Sequence, residues 1–203
     1  MQDLSYTIAG NYFYHTSLSR EQRISGMRWD RPTSRGRVVS GSLSQSASYS
    51  ITEVNTSQDF SAKYLGGDKL GYLVIVEQLD GSDFIQFKTE NEFSTDFAPR
   101  PFEIYVIPAT EKLTVKYAPN SRVKRLEIFM DTREMEELCL FGLIEQIKGR
   151  NGLRFSNDLS SSGYEQLSEM GTNFFRNAFQ STDKQRKSSI SEMLQMFNNF
   201  SLA

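Results

Sequence analysis

Residues 102–130 read FEIYVIPATEKLTVKYAPNSRVKRLEIFM, and this stretch decides the fold class. It contains three short apolar runs, at 102–107, 112–117 and 123–130, which are separated by turns that contain proline. Short strands separated by such turns are typical of an antiparallel sandwich or barrel. The stretch therefore predicts three consecutive strands of a β-rich fold.

Further strands are predicted upstream of this stretch. The apolar run at 69–79 is followed by Asp80-Gly81 and then by the alternating run 84–87. Asp-Gly favours a tight hairpin turn because both central residues of that turn need positive φ, so we expect a β-hairpin here. Segments 36–43 and 48–54 predict two more strands. Residues 1–27 fit either an arm that packs over the barrel or an edge strand.

The character of the sequence changes near residue 130. All five prolines precede this point, and the apolar spacing after it is helical. Asp131 and Glu134 have the spacing of a capping box and predict a helix that ends at about Lys148. The sequence thus predicts an α+β protein. We expect a β-barrel domain with an N-terminal arm at 1–130 and a helical segment at 131–203, which the resemblance described below makes a sensor domain and a dimerisation segment.

Two apolar stripes in the last third of the chain predict amphipathic helices, the first of them opened by Ser162 and Glu165 at capping-box spacing. Tandem stripes need a surface to cover them, so we expect a homodimer, although part of the set is expected to pack on the barrel instead. The predicted dimer interface consists of Leu167, Met170, Phe174, Ile190, Met193, Leu194 and Phe197.

Composition excludes some classes of function. The net charge is −2, without the basic excess that a domain binding many phosphates carries. The basic clusters at 28–37 and 122–125 are expected to face water. Cys139 lies in an apolar run and is expected to be a buried, inert thiol. No segment has the ~20 apolar residues of a membrane-spanning helix, and no signal peptide is evident, so we expect a cytoplasmic protein.

Residue counts argue against catalysis and metal binding. The chain has one histidine, His15, and one cysteine, so a cluster of zinc or iron ligands cannot form. A Ser-His-Asp or Cys-His site would depend on His15 alone. We therefore expect no catalytic residues, no metal and no cofactor, and hence no enzyme.

Aromatic and basic residues concentrate in the presumed barrel. Inward-facing side chains of this kind would line an apolar pocket with a few polar groups, as small-molecule sites do. The alternative is that a barrel of this size is filled by its own aromatic side chains. The predicted ligand-binding residues are Trp29, Arg31, Tyr72, Phe84, Phe87, Tyr105 and Tyr117.

Three features together resemble the N-terminal regulatory half of AraC-type transcription regulators. They are the run IYVIPA at 104–109 after the Asp80-Gly81 segment, the strand VKRLEIF at 123–129 with its helix start at Asp131, and the closing pair of amphipathic helices. The resemblance covers roughly residues 36–203. It implies a cupin-like barrel that senses a small-molecule effector, helices that dimerise, and DNA binding only through a separate C-terminal domain absent here.

Two other functions remain open from the sequence. A stand-alone, lipocalin-like barrel that carries a small molecule would be monomeric. An enzyme without a metal could use tyrosine and arginine side chains of the barrel. Metal-dependent cupin enzymes also resemble the barrel, but their sites use several histidines that this chain lacks.

Overall fold

In the computed structural model, the described residues are 4–8, 11–15, 24–30, 34–57, 60–64, 71–80, 85–89, 94–97, 100–148, 152–157 and 159–201. Two of the predicted ligand-binding residues, Arg31 and Phe84, lie outside them. Trp29 and Phe87 are described by their positions in strands.

Antiparallel strands of the described residues form two sheets. The strands are β1 (Leu4–Ile8), β2 (Asn11–His15), β3 (Ile24–Asp30), β4 (Ser34–Ser42), β5 (Ala47–Thr56), β6 (Phe60–Tyr64), β7 (Gly71–Asp80), β8 (Ile85–Thr89), β9 (Ser94–Phe97), β10 (Phe102–Pro108), β11 (Leu113–Tyr117), β12 (Arg122–Asp131) and β13 (Leu153–Arg154). Within these residues the smaller sheet has the order β2-β1-β6-β11-β8-β9, and the larger has β13-β10-β7-β12-β5-β4-β3. The strands predicted at 36–43, 48–54 and 102–130 are confirmed, and β1 and β2 support the edge-strand interpretation of the N-terminal residues.

The larger sheet lies between the smaller sheet and the helices. One buried cluster joins the two sheets and includes Leu73 and Ile75 of β7 together with Val115 of β11. A second cluster includes Val74 and Val76 of β7 and the apolar residues of the helices. Successive side chains of a strand point to opposite faces, so the apolar run of β7 is buried on both sides. This layering gives the larger sheet a sandwich face and a helix face.

The predicted hairpin at Asp80-Gly81 is wrong. β7 pairs with β10 and β12 in the larger sheet, whereas β8 pairs with β9 and β11 in the smaller sheet. The two strands are therefore consecutive in sequence but belong to different sheets. β10 and β12 pair with seven and ten residues of β7, whereas β8 has only five residues, so the observed neighbours satisfy more of the backbone of β7.

Helices follow β12, and the first begins where the sequence predicts. They are α1 (Thr132–Glu137), α2 (Phe141–Ile147), α3 (Ser161–Asn177) and α4 (Asp183–Ser201). The Asp131 carboxylate accepts a hydrogen bond of 2.8 Å from the backbone N–H of Glu134, as expected for a helix cap. Ser160 caps α3 by accepting from the N–H of Gly163, two residues before the predicted cap. None of the helices in this part of the chain is long and apolar enough to cross a membrane.

The single helix predicted from Asp131 to about Lys148 is wrong, because the chain turns between α1 and α2. Cys139 has a φ of 56°, which a continuous right-handed helix does not allow. The N–H of Leu140 bonds to the carbonyl of Met135 and closes the first helix. The turn lets Met135 and Leu143 reach the same buried cluster from two helices.

Cys139 itself is exposed, so the prediction of a buried thiol is also wrong. Its apolar neighbours Leu140 and Leu143 are buried, and Cys139 lies at the outside of the turn between them. A run that is apolar by composition does not stay buried through a turn.

Candidate functional site

A charged network lies on the sandwich face of the larger sheet. Arg125 of β12 stands directly opposite Glu77 of β7 in the strand register. Its Nε donates to Glu77 Oε1 at 2.5 Å, and the Tyr117 hydroxyl donates to the same oxygen at 2.5 Å. Arg125 also donates through Nη2 to the Tyr117 hydroxyl. Glu77, Arg125 and Tyr117 are 1%, 7% and 2% exposed, so the group is shielded from water.

The alternation of β12 puts further charge on the same face. Val123, Arg125, Glu127 and Phe129 occupy every second position, and Val123 and Phe129 belong to the cluster between the sheets. Glu127 is 2% exposed, and its Oε1 lies 3.4 Å from Arg125 Nη1. Two apolar residues thus bracket two buried charges on one strand.

A second buried ion pair lies on β10 and β13. Glu103 is fully buried, and its carboxylate accepts from Arg154 Nε at 2.9 Å and also from Arg154 Nη2. The Ser156 hydroxyl and the backbone N–H of Arg100, the latter at 3.0 Å, donate to the same carboxylate. These donors satisfy the buried charge, which would otherwise be costly in a low dielectric.

Tyr105 connects the two ion pairs. It stands opposite Arg154 in the register of β10 and β13 and is 2% exposed. Burial raises the pKa of its hydroxyl above the ordinary tyrosine range. The charges of Glu77 and Glu103 raise that pKa further, and the two arginines oppose them. Burial likewise raises the pKa of Tyr117 well above its usual range. Both phenols are therefore protonated at neutral pH and can donate hydrogen bonds.

One carboxylate oxygen of the network, Glu77 Oε2, differs from the others in its hydrogen bonding. Among the described residues, no group donates a hydrogen bond to Glu77 Oε2, although this oxygen is buried. A buried acceptor without a partner costs roughly 1–3 kcal/mol, and native proteins contain few of them. This oxygen is the clearest chemical anomaly of the sandwich interior.

The structure brings together two of the predicted ligand-binding residues and separates a third from them. Tyr105 and Tyr117 lie together in the network. Tyr72 is half-buried against the helix-side cluster, on the opposite face of β7. Phe87 stands opposite Val115 in the register of β8 and β11, and Trp29 stands opposite Gly36 in that of β3 and β4. The prediction that the seven residues bind a ligand remains a prediction.

Sequence reasoning missed the charged members of the network. The expectation that the basic cluster at 122–125 faces water is wrong for Arg125, which is buried, whereas the Arg122 side chain is 53% exposed. Glu77 interrupts the apolar run of β7, and Arg125 lies between apolar residues at every second position. An acid and a base that each occupy an inward position of a predicted strand are the signal that could have found this pair.

The predicted dimer residues pack mainly within the chain. Six of them are 0–6% exposed and belong to the cluster between the sheet and the helices. Met170 is half-buried and, with Met196, lines a groove of about 850 Å³ between α3 and α4. The interface stays a prediction, and the groove shows which part of the helical layer is open to a partner.

Metal ligation has no visible basis in the described part of the chain. Within it, no group of three or more histidine, cysteine, aspartate or glutamate side chains could hold a metal ion. The carboxylates of the sandwich are bound by guanidinium and hydroxyl groups instead.

These features define an α+β fold: an antiparallel, cupin-like sandwich followed by a C-terminal helical segment, as the sequence predicts. No protein-family model matches the sequence, and no curated protein matches it either. The structure is similar to the crystal structure of the AraC-like transcriptional activator CuxR, with 11% identity and a TM-score of 0.52 over 89% of this chain. The chain spans 62% of the length of that activator. At this identity the similarity shows the fold alone.

Weaker similarities extend to other cupin structures. A cupin superfamily protein from Desulfitobacterium hafniense has 14% identity and a TM-score of 0.30, with 57% of this chain and 84% of that chain covered. A mutant of Bacillus subtilis oxalate decarboxylase has 11% identity and a TM-score of 0.34, with 69% and 43% covered. Scores this low carry no argument about function.

Proposed function

We propose that this chain is the ligand-sensing and dimerisation part of a transcription regulator. The effector site lies between the two sheets at the charged network, and the outer face of α3 and α4 forms the dimer surface. DNA contact belongs to another segment, since the net charge of these residues is −2. The role is binding rather than turnover.

The observation that carries the proposal is the connection between the network and α3. Gln78, the neighbour of Glu77, donates through Nε2 to Thr172 Oγ1 at 3.2 Å. Phe102, the neighbour of Glu103, donates its backbone N–H to the Tyr164 hydroxyl at 3.3 Å, and its carbonyl accepts from that hydroxyl at 3.1 Å. Both helix residues belong to α3. Glu77 and Glu103 thus face the network, while the next residue of the strand in each case contacts α3 on the other face of the sheet. A ligand that shifts the network would therefore also shift α3.

The groove between α3 and α4 suits a second copy of the chain. Met170, Phe174 and Met196 supply apolar surface in it, and amides such as Asn173 and Gln185 surround them. Interfaces commonly have an apolar centre within a polar rim, and methionine is enriched in them. Two copies of this surface could cover each other about a two-fold axis, as closed dimers require.

Light scattering on the purified chain across a concentration series tests the dimer. We expect a mass that moves from monomer to dimer as concentration rises, and a monomer for Met170→Glu and Met196→Glu. Phe141→Glu is the matched control, because Phe141 is 56% exposed and lies outside the groove. A wild-type chain that stays monomeric at every concentration contradicts the proposed dimer and favours the monomeric carrier. Dissociation by Phe141→Glu alone would place the dimer surface at α2.

A further inference from the structure

We propose that the end of the larger sheet beside α3 holds a binding site for a small molecule that carries a phosphate group. A cavity of about 290 Å³ lies there, and its lining includes Gln78 and Asp80 of β7 and Arg122 and Lys124 of β12. Small-molecule pockets typically have volumes of about 300–1,000 Å³, so this cavity suits a small ligand. The site is separate from the charged network between the sheets and does not depend on it.

The strand register brings the lining side chains together on one face of the sheet. Lys124 stands opposite Gln78, and Arg122 stands opposite Asp80. Directly opposed residues of neighbouring strands point to the same face. Gln78 donates to Thr172 of α3, so this face is the one on which the helices pack. The two basic side chains therefore lie on the side of α3 and not between the sheets.

An ion pair orients Arg122 and leaves most of its donors unused. Arg122 Nη2 donates to Glu53 Oε1 at 3.0 Å, and Arg37 Nε donates to Glu53 Oε2 at 2.8 Å. Burial opposes the ionisation of Glu53, but Arg122 and Arg37 hold the pKa of its carboxyl below the usual range. The Arg37 guanidinium in turn lies 4.0 Å from the centroid of the Phe179 ring. Nε and Nη1 of Arg122 donate to no described residue and can bind a ligand.

Positive charge exceeds negative charge at this end of the sheet. Lys124 is half-buried, and its ammonium group donates to no described residue. Among the described residues of this face, four basic side chains accompany two acidic ones: Arg35, Arg37, Arg122 and Lys124 with Glu53 and Asp80. The excess of two positive charges matches a phosphate monoester, which carries a charge of about −1.5 to −2 at pH 7.

The donors of Arg122 and Lys124 suit phosphate better than a carboxylate. A guanidinium group can donate two parallel hydrogen bonds to phosphate, and an ammonium group adds up to three more donors. A phosphate monoester has three terminal oxygens and can accept from both side chains at once. Asp80 is exposed, and its carboxylate can accept from a hydroxyl group of the ligand. We therefore expect a phosphate at Arg122 and Lys124 with a hydroxyl-bearing body at Asp80, as in a sugar phosphate.

Calorimetry on the full chain tests this site with glucose 6-phosphate, glucuronate, glucose and inorganic phosphate. The first three probes share a hexose body and differ in the charged group. Inorganic phosphate shows whether the free ion is sufficient. Arg122→Gln and Lys124→Gln each remove one charge from the site. Lys148→Gln is the matched control, because it removes the same charge from a side chain that is 72% exposed at the end of α2. Urea denaturation shows that each variant is folded.

We expect glucose 6-phosphate to bind at least about tenfold more tightly than glucuronate, because charge-assisted hydrogen bonds to two cations hold the phosphate. Glucose should give no measurable heat. Arg122→Gln and Lys124→Gln should each weaken the binding of glucose 6-phosphate about tenfold or more, whereas Lys148→Gln should leave it unchanged. Inorganic phosphate that binds as tightly as the ester supports a site for the free ion, and weaker binding supports a phosphate ester whose body contacts Asp80.

Three results would overturn this inference. They are glucuronate binding as tight as that of glucose 6-phosphate, undiminished binding by Lys124→Gln, and no binding of either phosphate probe. If duplex DNA binds where the phosphate probes do not, the surface contacts nucleic acid and the small-molecule site is wrong. None of these results concerns the sandwich interior or the solution mass of the chain, so they leave the proposed function to its own test.

Discussion

Replacing Gly171 with alanine tests how closely α3 packs on the larger sheet. A Cβ at this position would lie 2.5 Å from Cζ of Phe102 and closer still to its Cε2, whereas real Cβ atoms essentially never approach a neighbour within 3.0 Å. Phe102 is 1% exposed, so its ring has little room to move. Glycine at 171 is therefore needed for the present distance between the helix and β10.

The expected magnitude is a difference between two opposing effects. Alanine in a helix interior is favoured over glycine by about 1 kcal/mol. Overpacking a well-filled core costs about 1–3 kcal/mol, and a contact this short belongs at the upper end. We expect Gly171→Ala to lower the free energy of unfolding by about 2 kcal/mol.

Urea denaturation followed by circular dichroism measures this change, and α3 itself supplies the control. At Gly163 the nearest ring atom, Cε1 of Phe200, would lie 3.2 Å from the new Cβ, and Phe200 is only half-buried. Gly163→Ala should therefore change stability by less than about 0.5 kcal/mol or increase it. Phe102→Leu should lower the free energy of unfolding less in the Gly171→Ala chain than in the wild type, because the smaller leucine side chain makes room for the new Cβ. A Gly171→Ala chain as stable as the wild type would refute the close packing.

Three further predictions concern single contacts. Arg154→Met leaves the buried Glu103 carboxylate without its guanidinium and should lower the free energy of unfolding by about 3–5 kcal/mol in urea denaturation. The double variant with Glu103→Gln should recover most of this stability, and a double variant as unstable as Arg154→Met would contradict the prediction. Burial, and then the hydrogen bond to Asp183, raise the pKa of Tyr49 to about 12 from 10.0, so its contribution to stability is complete below pH 10 and is lost as pH rises through 12. Tyr49→Phe should flatten this part of the pH-dependence of stability, and an unchanged slope would count against it. Asp131→Ala should cost about 1 kcal/mol by removing the cap of α1, and equal urea midpoints would disagree.

The sequence predicts the strands and helix starts where a local pattern decides them. The strands of residues 102–130 are separated by turns that contain proline, which cannot donate a hydrogen bond within a sheet. Asp131 caps a helix through a contact with a residue only three positions away. The partner of each strand is not a local property. A favourable turn dipeptide at Asp80-Gly81 does not pair β7 with β8, because β10 and β12 pair with more of the β7 backbone than the five residues of β8 could.

The candidate site was harder to predict, because the buried charges look like surface charges in sequence. Arg125 follows Lys124, and only knowledge of which face is inward separates the two residues. The apolar stripes posed a similar problem. Leu167 and Phe197 mark a face that needs covering, but the sequence does not say whether a sheet or a partner covers it. In the folded chain both residues belong to the buried cluster that the helices and the larger sheet form together.

Under the proposed function, the two hydrogen-bonded contacts that adjoin the network contribute to the coupling between the sandwich and α3. A ligand can shift an equilibrium only by the difference in its affinity for the two states. The Gln78 side chain bonds to Thr172 and the Phe102 backbone bonds to the Tyr164 hydroxyl, beside Glu77 and Glu103, and each hydrogen-bonded contact contributes about 1 kcal/mol net. Two such contacts provide about 2 kcal/mol, which is about a 30-fold shift in the equilibrium of the helical layer. This value lies within the usual range of allosteric coupling, about 1–3 kcal/mol. In the proposed regulator these two contacts would therefore favour a graded change in dimer affinity over an all-or-none switch, which would need about 5.5 kcal/mol.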